Sequence, residues 1–375
     1  MVDVTDFVTG INARKTVFGV TFEQLILILY PLFLIPAAFL WYRDLQQRRF
    51  STTVPAGCIR LGVVGQSNVA DEHDVKYDHG TSDDTTWKVK ALYIHPIKSC
   101  SAIEVDAADV GAEGLIFDRV FCFAELIAPP DADEKDRRTP MWTFRTLRQP
   151  GYEKLALVKP EIWVPKHDAK SESASLRQVE KEGALIVKYP NVSTGLLAPL
   201  DRLMLRWGLI PQENSFRVPL KPTNDYPKEV LDIWKENPVW FNMGRHIPED
   251  FKQWMGVSRP IALFRADPET YRPVMRCAPR KEEVGFQTII ACQDAYPLNM
   301  LNLASVHDVG DKVGKDVING LSVRRFRTNI VVVGPPAFDE DDWKRCSIGG
   351  NKLYCVCHTI RCRVRTKLQL KMQYI

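Results

Sequence analysis

One uncharged apolar segment near the amino terminus limits how this chain can fold. The residues from Leu25 to Tyr42 read LILILYPLFLIPAAFLWY and include no charged side chain. A run of this length is just sufficient to cross a bilayer as a helix. Trp41 and Tyr42 close the run and Arg43 follows, an order typical of a helix that ends at a headgroup layer. We predict a single transmembrane helix over residues 22–42, preceded by an N-terminal tail of residues 1–21.

Two other interpretations of this segment remain open. A secretory signal peptide would have a shorter apolar core followed by small residues, whereas bulky and charged residues follow here. A buried core helix is the other alternative. Basic residues are slightly more frequent after the run than before it, which places the C-terminal part in the cytosol under the positive-inside rule. Residues 51–86 are rich in Gly, Ser, Asp and His with little apolar periodicity, and we predict a flexible linker over residues 43–86.

From Trp87 onward the pattern favours β-structure. Short runs rich in β-branched and aromatic residues alternate with clusters of Gly, Pro and Asp, as in a barrel or sandwich. The predicted strands are WKVKALYIHPI, LIFDRVFCFAE, KLALVKPEIWV, EGALIVKYP and the apolar run of RRFRTNIVVVG. Helical spacing is found in PKEVLDIWKEN, PEDFKQWMG and PLNMLNLASVHDVGDKV. The fold class is therefore β-rich α+β.

Charge and cysteine content narrow the function. A net charge of +4, from 50 basic and 46 acidic residues, is too balanced for a chain that mainly wraps nucleic acid, so no nucleic-acid partner is expected. Nine cysteines in a chain of 375 residues fit a reducing compartment or metal ligation better than a disulfide framework. Because the net charge is nearly balanced, any anion-binding site must come from a local cluster of basic residues.

Three groups of residues could carry chemistry. Lys98 and Ser99 follow a strand in HPIKSC and suit an anion such as a phosphate. Arginines at strand ends, with Asn329 beside them, carry planar guanidinium groups that can donate two hydrogen bonds to one oxyanion. The segment LYCVCHTIRCRV holds Cys355, Cys357, His358 and Cys362. These four could form a zinc or iron–sulfur site, although the spacing is not a familiar one. Alternatively, the first two cysteines are buried and Cys362 alone is the functional thiol.

Three segments together resemble one family. HPIKSC, the run RFRTNIVVVGPPAFDEDDWKRCSIG and the Arg361–Cys362 pair look like the MOSC-domain proteins. With the N-terminal anchor, the chain resembles the amidoxime-reducing, fungal-type branch of that family. The resemblance implies an N-terminal β-barrel domain over residues 87–220 and a MOSC β-barrel domain over residues 221–375, with a transmembrane helix before them.

The resemblance also implies a molybdenum pyranopterin cofactor held between the two domains. Cys362 falls on the family's molybdenum ligand and is the implied catalytic and metal-binding residue. The implied cofactor-binding residues are Lys98, Ser99, Arg119, Thr146, Arg148, Asn302, Ser305, Arg327, Asn329 and Arg361. Asn302 departs from the family pattern, which uses small hydroxyl residues in that stretch.

The implied activity is a molybdenum-dependent oxidoreductase that reduces N-hydroxylated small molecules of the amidoxime type. Relatives receive electrons from a b-type cytochrome and an NADH-dependent flavin reductase, which are the implied partners. The resemblance also implies that the chain is anchored in the mitochondrial outer membrane, with the globular part in the cytosol. Pyridoxal phosphate binding is a further property expected at the level of the family. The alternatives are a sulfur carrier or molybdenum cofactor sulfurase, whose aminotransferase-like domain is missing here, and a degenerate non-catalytic cofactor-binding protein.

One departure concerns the C-terminal end. After the ligand cysteine the family continues with V-D-P-D-T-G and further strands, whereas RVRTKLQLKMQYI follows here. We therefore expect the MOSC domain to be incomplete at its C-terminus, with unpaired strand edges.

Overall fold

A computed structural model describes residues 22–51, 55–127, 140–166, 183–192, 198–234, 236–313 and 320–359. The chain divides into two units. One lies within residues 1–52 and 191–212, and the other within residues 53–190 and 213–375. The predicted tail 1–21, most of the two polar insertions after Ile127 and Lys166, and both Arg361 and Cys362 lie outside the described residues.

The smaller unit contains two helices, α1 (Phe22–Ser51) and α2 (Ala198–Arg206). The Tyr42 hydroxyl of α1 donates a hydrogen bond to Asp201 of α2 at 2.8 Å. The first helix covers the predicted anchor 22–42, contains Pro31 and Pro36, and continues through Arg43 and Asp44. Among the residues with described placement, no helix is both long and apolar enough to cross a membrane. The structure therefore does not support the predicted transmembrane anchor.

The larger unit is β-rich, which confirms the predicted fold class. Its helices are α3 (Glu249–Met255), α4 (Lys281–Val284) and α5 (Leu303–Val313). Its strands in chain order are β1 (Cys58–Arg60), β2 (Lys88–Ile94), β3 (Ile103–Val105), β4 (Val110–Gly111), β5 (Gly114–Leu115), β6 (Phe121–Ile127), β7 (Met141–Phe144), β8 (Lys159–Pro165), β9 (Ala184–Pro190), β10 (Glu213–Pro219), β11 (Lys228–Asp232), β12 (Val239–Asn242), β13 (Ile261–Arg265), β14 (Arg272–Pro273), β15 (Ile289–Ile290), β16 (Met300–Asn302), β17 (Ile330–Val333), β18 (Arg345–Ile348) and β19 (Asn351–Tyr354).

A closed barrel joins β11, β12, β13, β6 and β7 in that order. Strand β6 is buried on both faces because two apolar clusters cover it. Phe121 and Phe123 belong to a cluster with Phe251 of α3, whereas Cys122 points the other way, into a cluster with Trp240. The barrel combines strands from before and after residue 220, and the predicted domain boundary there stays a prediction.

A four-stranded sheet in the order β16, β17, β2, β3 forms the second main layer. Strand β17 is almost fully buried, as its apolar run predicts, and it pairs antiparallel with β2. This pairing brings the end of β2 next to the turn before β17, and the Tyr93 amide donates to the Asn329 carbonyl at 2.8 Å. A parallel bridge from Ile97 to Phe121 then ties the segment after β2 to the barrel. Two segments that are distant in sequence therefore meet at one edge of the barrel.

Two predictions about this unit are wrong. Residues 55–86 are not a flexible linker, because β1 pairs with β8, Val69 is buried, and the Glu72 carboxylate accepts a hydrogen bond from the Val323 amide at 2.9 Å. The segment PKEVLDIWKEN is not a helix. It forms β11, since pairing with β12 on one side and β7 on the other outweighs its local helical spacing.

Candidate functional site

A polar cavity of about 110 Å³ lies where the end of β2, the turn before β17 and the loop after β7 meet. Its walls include seven of the ten residues predicted to bind cofactor: Lys98, Ser99, Arg119, Thr146, Arg148, Arg327 and Asn329. These seven come from four separate stretches of sequence. The structure therefore assembles one cationic cavity from residues that look unrelated along the chain.

Lys98 forms the buried floor of the cavity. Its ammonium donates to the Cys292 carbonyl at 2.7 Å and to Asp294 Oδ1 at 2.6 Å. The same nitrogen lies 4.2 Å from the ring centroid of Trp234, a cation–π contact. Burial lowers the pKa of Lys98 to about 8, and the Asp294 carboxylate limits that decrease. The amine of Lys98 is therefore mostly protonated at pH 7 and loses its charge as the pH rises through about 8.

Three of the cavity residues adopt an unusual backbone conformation. Ser99, Arg119 and Arg327 have φ values of 72°, 52° and 51°, in the left-handed region that residues other than glycine rarely occupy. Trp234, which stacks on Lys98, has a φ of 50°. Backbone strain of this kind costs of order 1–3 kcal/mol per residue and concentrates at functional sites. Its clustering here marks the cavity as a site whose geometry is held at some cost in stability.

A buried carboxylate positions Arg119. Asp118 is 1% exposed, forms an ion pair with the Arg119 guanidinium, and accepts a hydrogen bond from the His95 amide at 2.7 Å. Arg119 also donates to Asn329 Oδ1 at 3.2 Å and to the Arg327 carbonyl at 3.0 Å. Burial raises the pKa of Asp118, but Arg119 and His95 outweigh it and hold that pKa below its usual value. Arg119 is therefore a fixed positive charge in the cavity wall.

The loop after β7 supplies the opposite wall. Thr146 is buried, and its hydroxyl lies 3.2 Å from Gln149 Oε1 and accepts from the Arg148 amide at 3.3 Å. Arg148 is about half exposed and reaches Asp294 Oδ2 at 3.4 Å. The Ser99 hydroxyl accepts from the Leu147 amide at 3.3 Å, which ties this loop to the segment after β2.

Two of the predicted cofactor-binding residues lie outside this cavity, and a third is not among the described residues. Asn302 is fully buried and donates to the carbonyls of Pro335 and Pro336, so its role here is to hold the turn after β17. The Ser305 hydroxyl donates to the Glu340 carboxylate at 2.7 Å and lies in the wall of a neighbouring cavity. Arg361, like the predicted ligand Cys362, lies outside the described residues.

The neighbouring cavity is larger and mostly apolar, with a volume of about 460 Å³. Tyr296, Leu298, Asn299 and Thr359 line both cavities, so the two share a wall. Phe286, Met300, Val306, Phe326 and Phe338 are among its apolar lining residues. Its size falls in the usual range for sites that hold small molecules.

The cysteine segment gives no support to the metal-cluster alternative. Within the part of the chain that the structure describes, no group of three or more Cys, His, Asp or Glu side chains is placed to hold a metal ion. Cys355 is half-buried and contacts Cys346 of β18, while Cys357 is exposed.

The sequence analysis does not identify Gln293 and Asp294 of the cavity wall, or Trp234, whose ring contacts Lys98. Asp294 and Gln293 lie in the loop between β15 and β16, and Trp234 follows β11. The Gln-Asp pair in ACQDAYPLN is a polar insertion between apolar residues, and this was the one signal available. Nothing in the sequence indicated that it would face Lys98.

Two regions of the chain match known protein families. A family model described as the MOSC N-terminal beta barrel domain matches residues 86–163, and a second one, the MOSC domain, matches residues 287–373. The chain contains both of these MOSC-type domains. The first match contains Lys98, Arg119 and Arg148, and the second contains Arg327 and Asn329, so this MOSC-domain protein builds its cavity from both matched regions.

Curated relatives carry two kinds of name. "Mitochondrial amidoxime-reducing component 1" of Danio rerio is 28% identical over 162 residues, which are 42% of this chain and 46% of that protein. "Molybdenum cofactor sulfurase" of Homo sapiens is 22% identical over 286 residues, 74% of this chain and 26% of that protein. "Mitochondrial amidoxime reducing component 2" of Bos taurus is 23% identical over 283 residues, 74% of this chain and 66% of that protein.

Each match thus spans less than two thirds of the relative's own length. The names support a molybdenum-cofactor-related role at the level of the family. They do not support the expected pyridoxal phosphate binding.

Proposed function

We propose that this MOSC-domain protein is a molybdenum-dependent oxidoreductase that reduces N-hydroxylated small molecules. The observation that carries the proposal is the convergence of Lys98, Arg119, Arg148 and Arg327 on one cavity beside a larger apolar one. The names of the amidoxime-reducing relatives supply the reaction class.

The donors in the cavity fit a pyranopterin cofactor chemically. Such a cofactor carries a terminal phosphate and a ring edge of hydrogen-bond donors and acceptors. Lysine and arginine side chains form charge-assisted hydrogen bonds to phosphate, and the Ser99 and Thr146 hydroxyls suit a ring edge. A volume of about 110 Å³ holds one end of such a molecule rather than all of it, so the remainder would extend beyond the described wall.

Residues of this chain would divide the work as follows. The buried Lys98 and the fixed Arg119 would bind the phosphate, Arg148 would close over it, and Cys362 would be the single protein ligand to molybdenum. The bound cofactor would supply the two-electron redox chemistry. The net reaction consumes two electrons and two protons, breaks the N–O bond of R–NHOH, and releases R–NH₂ and water. The apolar cavity would exclude bulk water and hold the organic part of the substrate.

Electron donors and location belong to the same proposal. A b-type cytochrome and an NADH-dependent flavin reductase would deliver the electrons, at the mitochondrial outer membrane with the globular part in the cytosol. Shared attachment to one membrane would raise the effective concentration of the partners. Fractionation of cells that express the full chain tests the location: recovery with mitochondrial outer-membrane markers supports it, and recovery elsewhere contradicts it.

Reductase activity tests the proposed reaction. The full chain is expressed in a host that makes the molybdenum cofactor, and conversion of benzamidoxime to benzamidine is measured with a reconstituted cytochrome and flavin reductase. Activity in the wild type that is lost in Cys362→Ser and retained in Cys58→Ser supports the proposal. Equal activity in both variants, or none in a cofactor-loaded wild type, contradicts it.

A sulfurase-type role is the second candidate. It is favoured by one observation, since sulfurases match about three quarters of this chain, although only about a quarter of their own length. A persulfide trapped on Cys362 by alkylation and found by mass spectrometry, without reductase activity, would favour this candidate over the first.

A further inference from the structure

The ion pairs in the polar cavity point to a role for Asp294 that no family resemblance assigns. Its carboxylate lies between two cations, with Oδ1 at 2.6 Å from Lys98 Nζ and Oδ2 at 3.4 Å from Arg148 Nη2. The carboxylate therefore makes the contacts that the phosphate end of a ligand would need. An anion can therefore bind both cations only if it displaces the Asp294 carboxylate.

The burial of the three side chains decides which of them can move. The side chain of Lys98 is only 7% exposed and is held from below by the Cys292 carbonyl and the Trp234 ring. Asp294 is 51% exposed and lies on the loop between β15 and β16, where no strand pairing fixes its side chain. Rotation of Asp294 into solvent leaves the Cys292 carbonyl and the Trp234 ring in contact with Lys98, and the incoming anion replaces the carboxylate as the counter-charge of the ammonium. Withdrawal of Lys98 would break all of these contacts. Displacement of Asp294 is therefore the easier route for an incoming anion.

The charge on Asp294 persists across the physiological range. Burial raises its pKa, but Lys98, followed by Arg148 and Arg119, outweighs burial and holds the pKa at about 2. Mild acidification does not neutralise the carboxylate, so an anion reaches Lys98 by direct competition rather than after protonation of Asp294.

We propose that Asp294 is an internal competitor that sets the affinity of the polar cavity for phosphate-type anions. The identity of the ligand class rests on the proposed function, but the competition itself does not depend on molybdenum. Removing the carboxylate's charge leaves Lys98 and Arg148 available to the anion and strengthens its binding. A residue that merely supported the fold would have the opposite effect, because its loss would loosen the cavity.

Inorganic phosphate is the probe, and its affinity for the full chain is measured by ³¹P NMR titration at pH 6.5 and fixed ionic strength. This pH lies well below the pKa of about 8 that Lys98 has in the wild type, and the bound anion favours the charged ammonium when Asp294 is replaced. We expect Asp294→Asn to bind phosphate about tenfold more tightly than the wild type, and Asp294→Glu, which retains a carboxylate, to bind like the wild type.

Asp225→Asn is the matched control. Asp225 is similarly exposed at 57% and pairs with Arg245 at 2.7 Å, outside the residues that line the polar cavity, so its replacement should leave the affinity unchanged. Lys98→Met should abolish binding. Unchanged or weaker binding in a folded Asp294→Asn protein, or an equal gain in Asp225→Asn, overturns the proposal. A preparation that lacks molybdenum but shows the tenfold gain would count against the proposed function alone.

Discussion

Replacement of Asp118 by asparagine tests whether the buried ion pair between Asp118 and Arg119 stabilises the cavity. The substitution keeps the side chain's shape and an oxygen that can accept from the His95 amide, but it removes the charge opposite Arg119. Removing one partner of a buried ion pair costs about 3–5 kcal/mol. Arg119 retains Asn329 and the Arg327 carbonyl as acceptors, so a loss at the lower end, about 3 kcal/mol, is expected.

Thermal and urea unfolding measure that loss. A change of about 3 kcal/mol lowers the midpoint of thermal unfolding by roughly 4 °C in a chain of 375 residues, because the unfolding entropy increases with chain length. Asp225→Asn removes an aspartate–arginine pair of the same chemistry at an exposed site, where solvent screening leaves such a pair little effect on stability. The difference between the two variants therefore isolates the effect of burial.

The pH dependence gives a second readout for Asp118. Its pKa is lower in the folded protein than in the unfolded chain, so the stabilisation is present above the unfolded value of about 3.9 and is lost as the pH falls through the folded value. The wild type should exceed Asp118→Asn by a constant margin from pH 6 to 8, and the margin should shrink below pH 4. Similar small losses in Asp118→Asn and Asp225→Asn, or a margin that does not depend on acid, would refute the argument.

Three further predictions concern the charge of the cavity, its buried amide and the apolar core. Sulfate, whose charge does not change between pH 7 and 9.5, should bind at least tenfold more weakly at the higher pH, because Lys98 has a pKa of about 8 and loses its charge. The Lys98→Met variant should bind sulfate weakly at both pH values. Calorimetry that shows no pH effect on sulfate binding in the wild type would contradict this. Asn329→Ala should lower the free energy of urea unfolding by about 2–3 kcal/mol, since the buried amide donates to the Tyr93 carbonyl and accepts from the Asn299 amide; a loss below about 0.5 kcal/mol would be inconsistent with these contacts. Phe251→Ala should cost about 3–5 kcal/mol in the same assay, because its ring packs against Phe123, Tyr189, Phe216 and Trp254, whereas the exposed Val192→Ala should change little.

The sequence predicted the parts of the fold that depend on local pattern. The strands around Tyr93 and Phe123 and the buried run at Val331 were identifiable because β-branched and aromatic residues alternate with turn signals. The helix Glu249–Met255 was identifiable from its periodicity. The segment at Leu231 was assigned to a helix because its local spacing carries no information about the strands that pair with it, and those partners include Trp142, far away along the chain.

The cavity was predictable only in part, for a similar reason. Lys98, Arg119 and Arg327 were identified from charge at strand ends and from the family resemblance. Asp294 was missed because a lone acidic loop residue resembles any solvated loop residue until the fold brings it to Lys98. Residues 55–86 looked like a linker because their buried contacts, such as Val69 and Glu72, are isolated positions in a polar stretch rather than a periodic pattern.

The molybdenum content of the purified chain tests the central claim most directly. Protein expressed in a host that makes the molybdenum cofactor is analysed for metal by mass spectrometry and for pterin by fluorescence after oxidation. The proposed function predicts close to one molybdenum and one pterin per chain in the wild type and in Cys58→Ser, and loss of molybdenum in Cys362→Ser. Wild-type protein that is folded but contains neither molybdenum nor pterin would contradict the claim.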